Sequence, residues 1–253
     1  MQYHAPVVLA RGAGRLHSTT NAAKLVFLDP PYNIGMDYGS GSNADSLSRS
    51  EYEGLLRRSI VSACMTAAPG GAIALLISEA WADFAGAYMS EILPNRINRV
   101  IWHEKFAQYR ETAFVPSHRH LFIHRKEGDG RRWNPDPIRV PSERMRMGDK
   151  RAKGPRVPSD VWTVRRLQGT SKDRVPGHPC QLPPEPLERL VLAYTNPGDL
   201  IAESFCGVGS LTRVAARLGR RYVGVDTNTD YVNIARQRGL DAIEEAQANE
   251  GAA

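Results

Sequence analysis

The chain has 253 residues, 42% of them hydrophobic and 24% charged, with a formal net charge of +6. That size and balance suit one globular domain carrying a large insertion better than several independent units. No apolar run approaches the roughly 20 residues needed to span a bilayer, and the start, MQYHAPVV, lacks the basic-then-apolar pattern of a secretory signal, so a cytoplasmic protein without a membrane partner is expected.

Residues 1–126 alternate short apolar runs with helix-like stretches. VVLA (7–10) and KLVFL (24–28) read as strands, and the second breaks off into LDPPYN. SRSEYEGLLRRSIVSACMTA (48–67) reads as a helix, with Ile60, Cys64 and Ala67 along one side and Ser48 with Glu51 as a capping box. GAIALLIS (71–78) reads as a strand, WADFAGAYMSEIL (81–93) as a helix, and RVIWHEKF (99–106) and HLFIHRK (120–126) as two more strands. Short strands separated by helices predict an α/β sheet with crossovers.

Residues 127–176 have no sustained periodicity, and Pro137, Pro141, Pro155 and Pro158 forbid long helices through them. Arg125 to Arg174 contains 15 Lys or Arg against 7 Asp or Glu, a net of +8, which leaves −2 for the rest of the chain. A positive field confined to one segment suggests a polyanion partner, although basic, proline-rich segments are also often solvated loops. Trp133 and Trp162 favour at least partial docking of this segment on the core.

Residues 177–240 form a β-loop-α-β-α unit preceded by a helix. PPEPLERLVLAYT (183–195) is the first helix, DLIAESF (199–205) a strand, CGVG (206–209) a loop and SLTRVAARLG (210–219) the next helix. RRYVGVD (220–226) is a strand, and TDYVNIARQRG (229–239) a helix closed by Gly239. The acidic tail, 241–253, is expected to fray. Cys64, Cys180 and Cys206 lie too far apart for a CxxC zinc pattern and read as free thiols.

Gly207 and Gly209 follow a strand and precede a helix, where a missing Cβ lets a ligand approach the backbone and the helix start offers unpaired N–H groups. Asp226 ends the next strand, a position from which a carboxylate can accept hydrogen bonds from the hydroxyls of a ribose. The loop has no third glycine, so a ligand with ribose but without pyrophosphate fits better than a dinucleotide. The alternative is a tight turn with a capping acid. Pro30 and Pro31 hold φ near −65° and make LDPPYN a stiff extended exit from its strand, at the sheet edge where open α/β sheets bind ligands.

DPPYNIG, HPCQLPPEPLERLV and DLIAESFCGVGSLTRVAARLGRRYVGVDTNTDYVNIA, in this order, resemble the amino-methylating DNA methyltransferases that use S-adenosylmethionine, and more narrowly their permuted beta group. The resemblance covers about half the chain. It implies a doubly wound, Rossmann-like α/β sheet with an antiparallel terminal hairpin, into which the irregular basic region is inserted. Residues 1–126 would then be the catalytic half, 127–176 the target-recognition insertion and 177–240 the cofactor half. It implies that Asp29 and the carbonyl of Pro30, in the Asp29-Pro30-Pro31-Tyr32 loop, accept hydrogen bonds from the exocyclic amine of a flipped base while Tyr32 stacks on its ring. Asp29, His178, Gln181, Glu203, Phe205, Cys206, Gly207, Gly209 and Asp226 would surround the cofactor. No metal is required, and no histidine base either, so Trp102, His118 and His120 read as packing or surface residues.

An aspartate at the first loop position accompanies adenine N6 methylation in that family more often than cytosine N4, which favours adenine. Cytosine N4, methylation of RNA or a small metabolite, and a catalytically silent DNA-binding subunit are the alternatives. Glu203, Ser204 and Leu182 depart from the family pattern, which more often has Asp, Pro and Lys there, and no aspartate stands between Met1 and Asp29 to meet the cofactor's adenine. Duplex DNA is the implied partner, with Arg131, Arg132, Arg144, Arg146, Arg151, Lys153, Arg165 and Arg166 as its footprint, most of them on phosphates. Dimerisation is frequent in the resembling group, and nothing in this sequence decides it.

Overall fold

The computed structural model describes residues 7–10, 20–38, 45–105, 111–167, 169 and 171–251. One eight-stranded mixed sheet organises them, in the order β1-β8-β7-β2-β3-β5-β4-β6. The first five in that row, β1 (Val7–Ala10), β8 (Arg221–Asp226), β7 (Leu200–Ser204), β2 (Ala23–Leu28) and β3 (Ala67–Ser78), run parallel. β5 (His118–Arg125) is antiparallel to both β3 and β4 (Asn95–Glu104), which makes the expected hairpin. Every parallel strand therefore delivers its carboxyl end to one edge, where Asp29, Phe205 and Asp226 line one cavity.

Two apolar layers sandwich the sheet. On one face Val26, Leu28, Ile73, Leu75 and Ile77 pack under α1 (Arg49–Thr66) and α2 (Glu79–Ile92), through Tyr52, Leu56, Ile60, Ala85 and Met89. On the other, Leu25, Phe27, Ala74, Leu76, Trp102 and Leu121 pack under α4 (Pro184–Tyr194) and α5 (Ser210–Arg217). The strand alternation of apolar residues to opposite faces is what feeds both layers at once, as a doubly covered sheet requires. The capping box forms as expected: Glu51 N donates to Ser48 Oγ at 3.3 Å and Ser48 N to Glu51 Oε2 at 2.9 Å.

The structure extends or corrects three expectations. β6 (Val161–Val164) lies within the segment that shows no periodicity, and it pairs in parallel with β4 and continues the sheet beyond the hairpin. Trp162 and Val164 point into the core, while Val161 and Thr163 stay exposed, so two inward side chains suffice for an edge strand. A short α3 (Glu143–Arg146) and a Val140–Arg156 bridge precede it.

Gly239 does not close the last helix. α6 runs from Thr229 to Gly251, and the segment expected to fray is its second half. Val232, Ala235, Gly239, Ala242 and Ala246 are buried at spacings of three and four, so a stripe of small residues continues through the glycine, and Arg213 on α5 pairs with Glu245 at 3.0 Å. Phe106, the last residue of one expected strand, and Ala252 and Ala253 of the tail lie outside the described residues.

Candidate active site

Asp29 follows β2, and the loop it opens is locked from three directions. Tyr52 Oη on α1 donates to the Pro31 carbonyl at 2.5 Å. Asp45 accepts from the backbone N–H groups of Asn33 (2.7 Å), Ile34 (3.1 Å) and Met36 (3.0 Å). Asn33, in the left-handed region at φ 57°, exchanges two side-chain bonds with the backbone of Leu47. With the Pro31 carbonyl thus occupied, no described residue donates to the Pro30 carbonyl, the one expected to accept from a base. The stiffness of the prolines is reinforced rather than left to φ restriction alone.

Tyr32 Oη donates to Asp29 Oδ1 at 2.8 Å. Arg119, from β5, approaches the same pair: its Nη1 donates to Tyr32 Oη at 3.3 Å, its guanidinium carbon lies 5.4 Å from the Tyr32 ring centre, and its Nη2 meets Glu104 Oε1 at 2.7 Å. Burial pushes the Asp29 carboxyl up to about 6, against the pull of Arg119 and the Tyr32 hydroxyl. The same burial raises the Tyr32 phenol well above its usual range, so it remains a neutral donor.

The glycine loop closes the opposite bank. Phe205 adopts a left-handed φ of 64°, costly for a residue with a side chain, and Gly207 follows at 48°. Gly207 N donates to Asp226 Oδ2 at 2.8 Å and Asn228 N to its Oδ1 at 2.9 Å. Those two bonds leave further lone pairs of the carboxylate for a ligand. A Cβ on Gly207 would stand 2.9 Å from His178 Nε2, so the histidine and the bare backbone approach each other only because this residue is glycine. His178 is buried, its ring lies 4.8 Å from that of Tyr231, and its Nδ1 has no partner. Burial and the nearby Arg174 and Arg238 hold its pKa down to about 4, which leaves the ring neutral.

Asp29, Pro30, Pro31, Tyr32, His178, Gln181, Glu203, Phe205, Cys206, Gly207 and Asp226 all line one cavity of about 340 Å³. Gly209 does not. A Cβ there would fall 2.7 Å from Ala235 Cβ, and its φ is 75°, so its glycine serves the turn and the seating of α6.

Gln181 is also reassigned in part. Its amide is spent on Val175 N (2.7 Å) and the Asp173 carbonyl (2.6 Å), which clasps the end of the basic insertion to the cavity rim. Glu203 is buried with its carboxyl on the Tyr222 hydroxyl, and burial raises it well above the usual carboxylate range. The extra methylene relative to aspartate is accommodated by this partner.

The arginine footprint divides by sheet edge. β5 ends at the amino edge, so the chain leaving it stays there: Arg131 N packs against Gly70 at the start of β3, and Arg132 pairs with Asp199, just before β7, at 3.3 Å. Both lie at the edge opposite the cavity. Arg165 and Arg166 leave β6 at the carboxyl edge, and Arg166 meets Glu104 Oε2 at 3.7 Å. Arg144, Arg146, Arg151 and Lys153 are exposed on the excursion closed by the Val140–Arg156 bridge, the three arginines pairing locally with Asp149 or Glu143.

Arg119, Tyr38 and Tyr52 were not singled out from the sequence. Arg119 had a readable signal: in HRHLFIHR it alternates onto one face with Leu121, Ile123 and Arg125, a cation at the carboxyl-edge end of an otherwise apolar pair. The reverse face of β5 carries His118 and His120, whose ring nitrogens gather with the Glu79 carboxylate within 4.8 Å. Arg99 Nε donates to His120 Nδ1 at 3.0 Å, which puts the proton of a neutral ring on Nε2, toward Glu79. The three form a hydrogen-bonded cluster, and an ion at that nitrogen would have to displace the proton beside a guanidinium.

The sequence model of the N6_N4_Mtase family, described as DNA methylase, matches residues 23–237. The chain belongs to this family. The methylase is 28% identical over 233 residues to the type II methyltransferase M.HpaI of Haemophilus parainfluenzae, spanning 89% of this chain and 72% of that one. It is 26% identical over 243 residues to the DNA adenine methyltransferase YhdJ of Escherichia coli K12, spanning 89% and 79%. The solved structure of TTHA0409 from Thermus thermophilus in complex with S-adenosyl-L-methionine superposes with a TM-score of 0.63 at 19% identity, covering 95% of each chain, and shares the fold. The methylase is accordingly an S-adenosylmethionine-dependent DNA methyltransferase. The orphaned His178 Nδ1, the bare backbone of Gly207 and the open lone pairs of Asp226 fit a group of that kind.

Proposed function

We propose that this methylase transfers the methyl group of S-adenosylmethionine to the exocyclic N6 amine of an adenine flipped out of a specific duplex DNA sequence, in the cytoplasm. The observation that carries the reading is that the Asp29 carboxylate, Pro30 and the Tyr32 ring share one cavity with Gly207 and Asp226. S-adenosylmethionine supplies a methyl group activated by a sulfonium. Gly207, Asp226, His178 and Phe205 would hold it.

The remaining work falls to the chain. A conjugated amine is a poor nucleophile, because its lone pair is shared with the ring. Asp29 and the Pro30 carbonyl, accepting one N–H each, favour a tetrahedral nitrogen and fix the direction of its lone pair. Tyr32 recovers part of the stacking that the base gives up on leaving the helix. With a carboxyl at about 6, Asp29 is mostly ionised at neutral pH and can accept. Adenine is favoured by the aspartate at the first position of the loop and by the match to a DNA adenine methyltransferase over 89% of this chain.

The test is radioactive methyl transfer from labelled S-adenosylmethionine to unmethylated duplex DNA and to RNA, with Asp29→Ala alongside. Transfer confined to DNA and lost in the variant is expected. Equal transfer to RNA, or undiminished transfer by Asp29→Ala, would overturn the reading.

A further inference from the structure

Asp29 is the acid on which the proposed chemistry turns, and it is crowded by burial, by other acids and by neutral polar groups. Glu104 at the end of β4 and Glu203 on β7 are acids that interact with it. Tyr32 on its own loop, Tyr38, Tyr52 of α1 and Cys180 before α4 face it as neutral donors or thiol. His178 shares the cavity and is uncharged. Among the described residues that line the cavity, Arg119 is the one cation. It enters from β5, it is four-fifths covered, and its own charge is held by Tyr32, Glu104 and Asp29 against the cost of burial.

Arg119 also has a defined orientation. Glu104 grips Nη2 at 2.7 Å, which turns Nη1 to the Tyr32 hydroxyl at 3.3 Å, and that hydroxyl in turn donates to Asp29. The second oxygen of Glu104 faces Arg166 of the recognition segment at 3.7 Å. A single carboxylate thus anchors the cavity cation and one arginine expected to face DNA.

We propose that Arg119, anchored by Glu104, is a positioning residue for the methyl transfer: it holds the Tyr32 ring in place and supplies the positive charge that balances the Asp29 carboxylate. The proposal rests on the methyltransferase reading of the cavity. Replacing Arg119 by a neutral side chain leaves Asp29 facing Glu104 without compensation, and a carboxylate that loses such a partner titrates about one unit or more higher. A lysine keeps the charge but lacks the planar fork that reaches Glu104 and Tyr32 together.

The experiment is a carbon-13 NMR titration of aspartate carboxyls in the full chain, with Asp29 assigned by its absence in Asp29→Asn, for wild type, Arg119→Met and Arg119→Lys. A midpoint raised by about one unit in Arg119→Met and kept near the wild-type value in Arg119→Lys is expected. The acid limb of the methylation rate should move upward by the same amount in Arg119→Met, which a merely structural role would not produce. Arg119→Gln repeats the test should Arg119→Met not fold.

An Asp29 midpoint unmoved in the neutral variants overturns the proposal. The titration needs neither DNA nor cofactor. A wild-type protein that transfers no methyl group would therefore count against the function, and an unmoved midpoint against Arg119 alone.

Discussion

Tyr32 Oη stands 2.8 Å from Asp29 Oδ1, so the ring expected to stack on the base also donates to the carboxylate expected to hold its amine. The two roles of Tyr32 separate by substitution. Tyr32→Phe keeps the aromatic face and deletes one hydrogen bond, which costs roughly fivefold in single-turnover rate, the equivalent of about 1 kcal/mol. Tyr32→Ala also removes the stacking platform, worth about 1–3 kcal/mol, and should lower the rate a further tenfold or more. A phenylalanine variant as damaged as the alanine one would show that the hydroxyl, not the ring, carries the function of Tyr32.

Asp29 is held at about 6 against a usual 3.8, and the sign of the consequence follows. Between these values the folded protein binds more protons than the unfolded chain, so the contribution of Asp29 to stability falls as pH rises from about 4 to 6 and stays unfavourable above that. The difference amounts to up to about 3 kcal/mol, less as water fills the cavity. Asp29→Asn should therefore be more stable than wild type at pH 7.5 and indistinguishable from it near pH 3.5, while losing methyl transfer. Thermal denaturation at the two pH values checks this. A variant less stable at pH 7.5 would mean that Arg119 and Tyr32 compensate the carboxylate in full.

How far the sequence discloses this molecule depends on where its signals are local. The DPPY loop and the CGVG loop are marked by residues whose backbone restrictions are intrinsic, and both reach the cavity, the second through Cys206, Gly207 and Val208 but not Gly209. β6 is different: VWTV is four residues among prolines and arginines, and only pairing with β4 makes it a strand. Gly239 misleads because a glycine at a helix end and a glycine in a helix-packing stripe look alike. The continuation of that stripe in Ala242 and Ala246 is readable once the spacing is followed past the glycine. Arg131 and Arg132 could not be placed from charge, since the edge they occupy is set by β5 running backwards.

The two loop glycines should fail in different ways. Gly209→Ala drives a Cβ into the backbone of α6 at a positive φ, and about 1–3 kcal/mol of overpacking should lower the melting temperature by roughly 2–10 °C. Gly207→Ala meets the His178 ring instead, at the cavity wall, and should weaken S-adenosylmethionine binding about tenfold with a smaller change in melting temperature. Calorimetric titration and thermal melts of both variants distinguish the roles. The reverse pattern would contradict the assignment of Gly209 to packing.

Salt dependence separates the arginines at the two sheet edges. Each phosphate contact contributes about 0.9 to the slope of log affinity against log salt. Arg165→Ala with Arg166→Ala should lower that slope by up to about 2 on duplex DNA. Arg131→Ala with Arg132→Ala should leave it unchanged, because those residues sit at the amino edge, away from the cavity. Equal effects from the two pairs would place DNA along both edges.

The most direct measurement is the identity of the modified nucleoside. Wild-type protein is incubated with S-adenosylmethionine carrying a heavy-isotope methyl group and unmethylated duplex DNA, and the DNA is digested to nucleosides for mass spectrometry. The cavity built by Asp29, Pro30 and Tyr32 predicts labelled N6-methyladenine, absent when Asp29→Ala replaces the wild type. Label in N4-methylcytosine alone, or in no nucleoside, would contradict it.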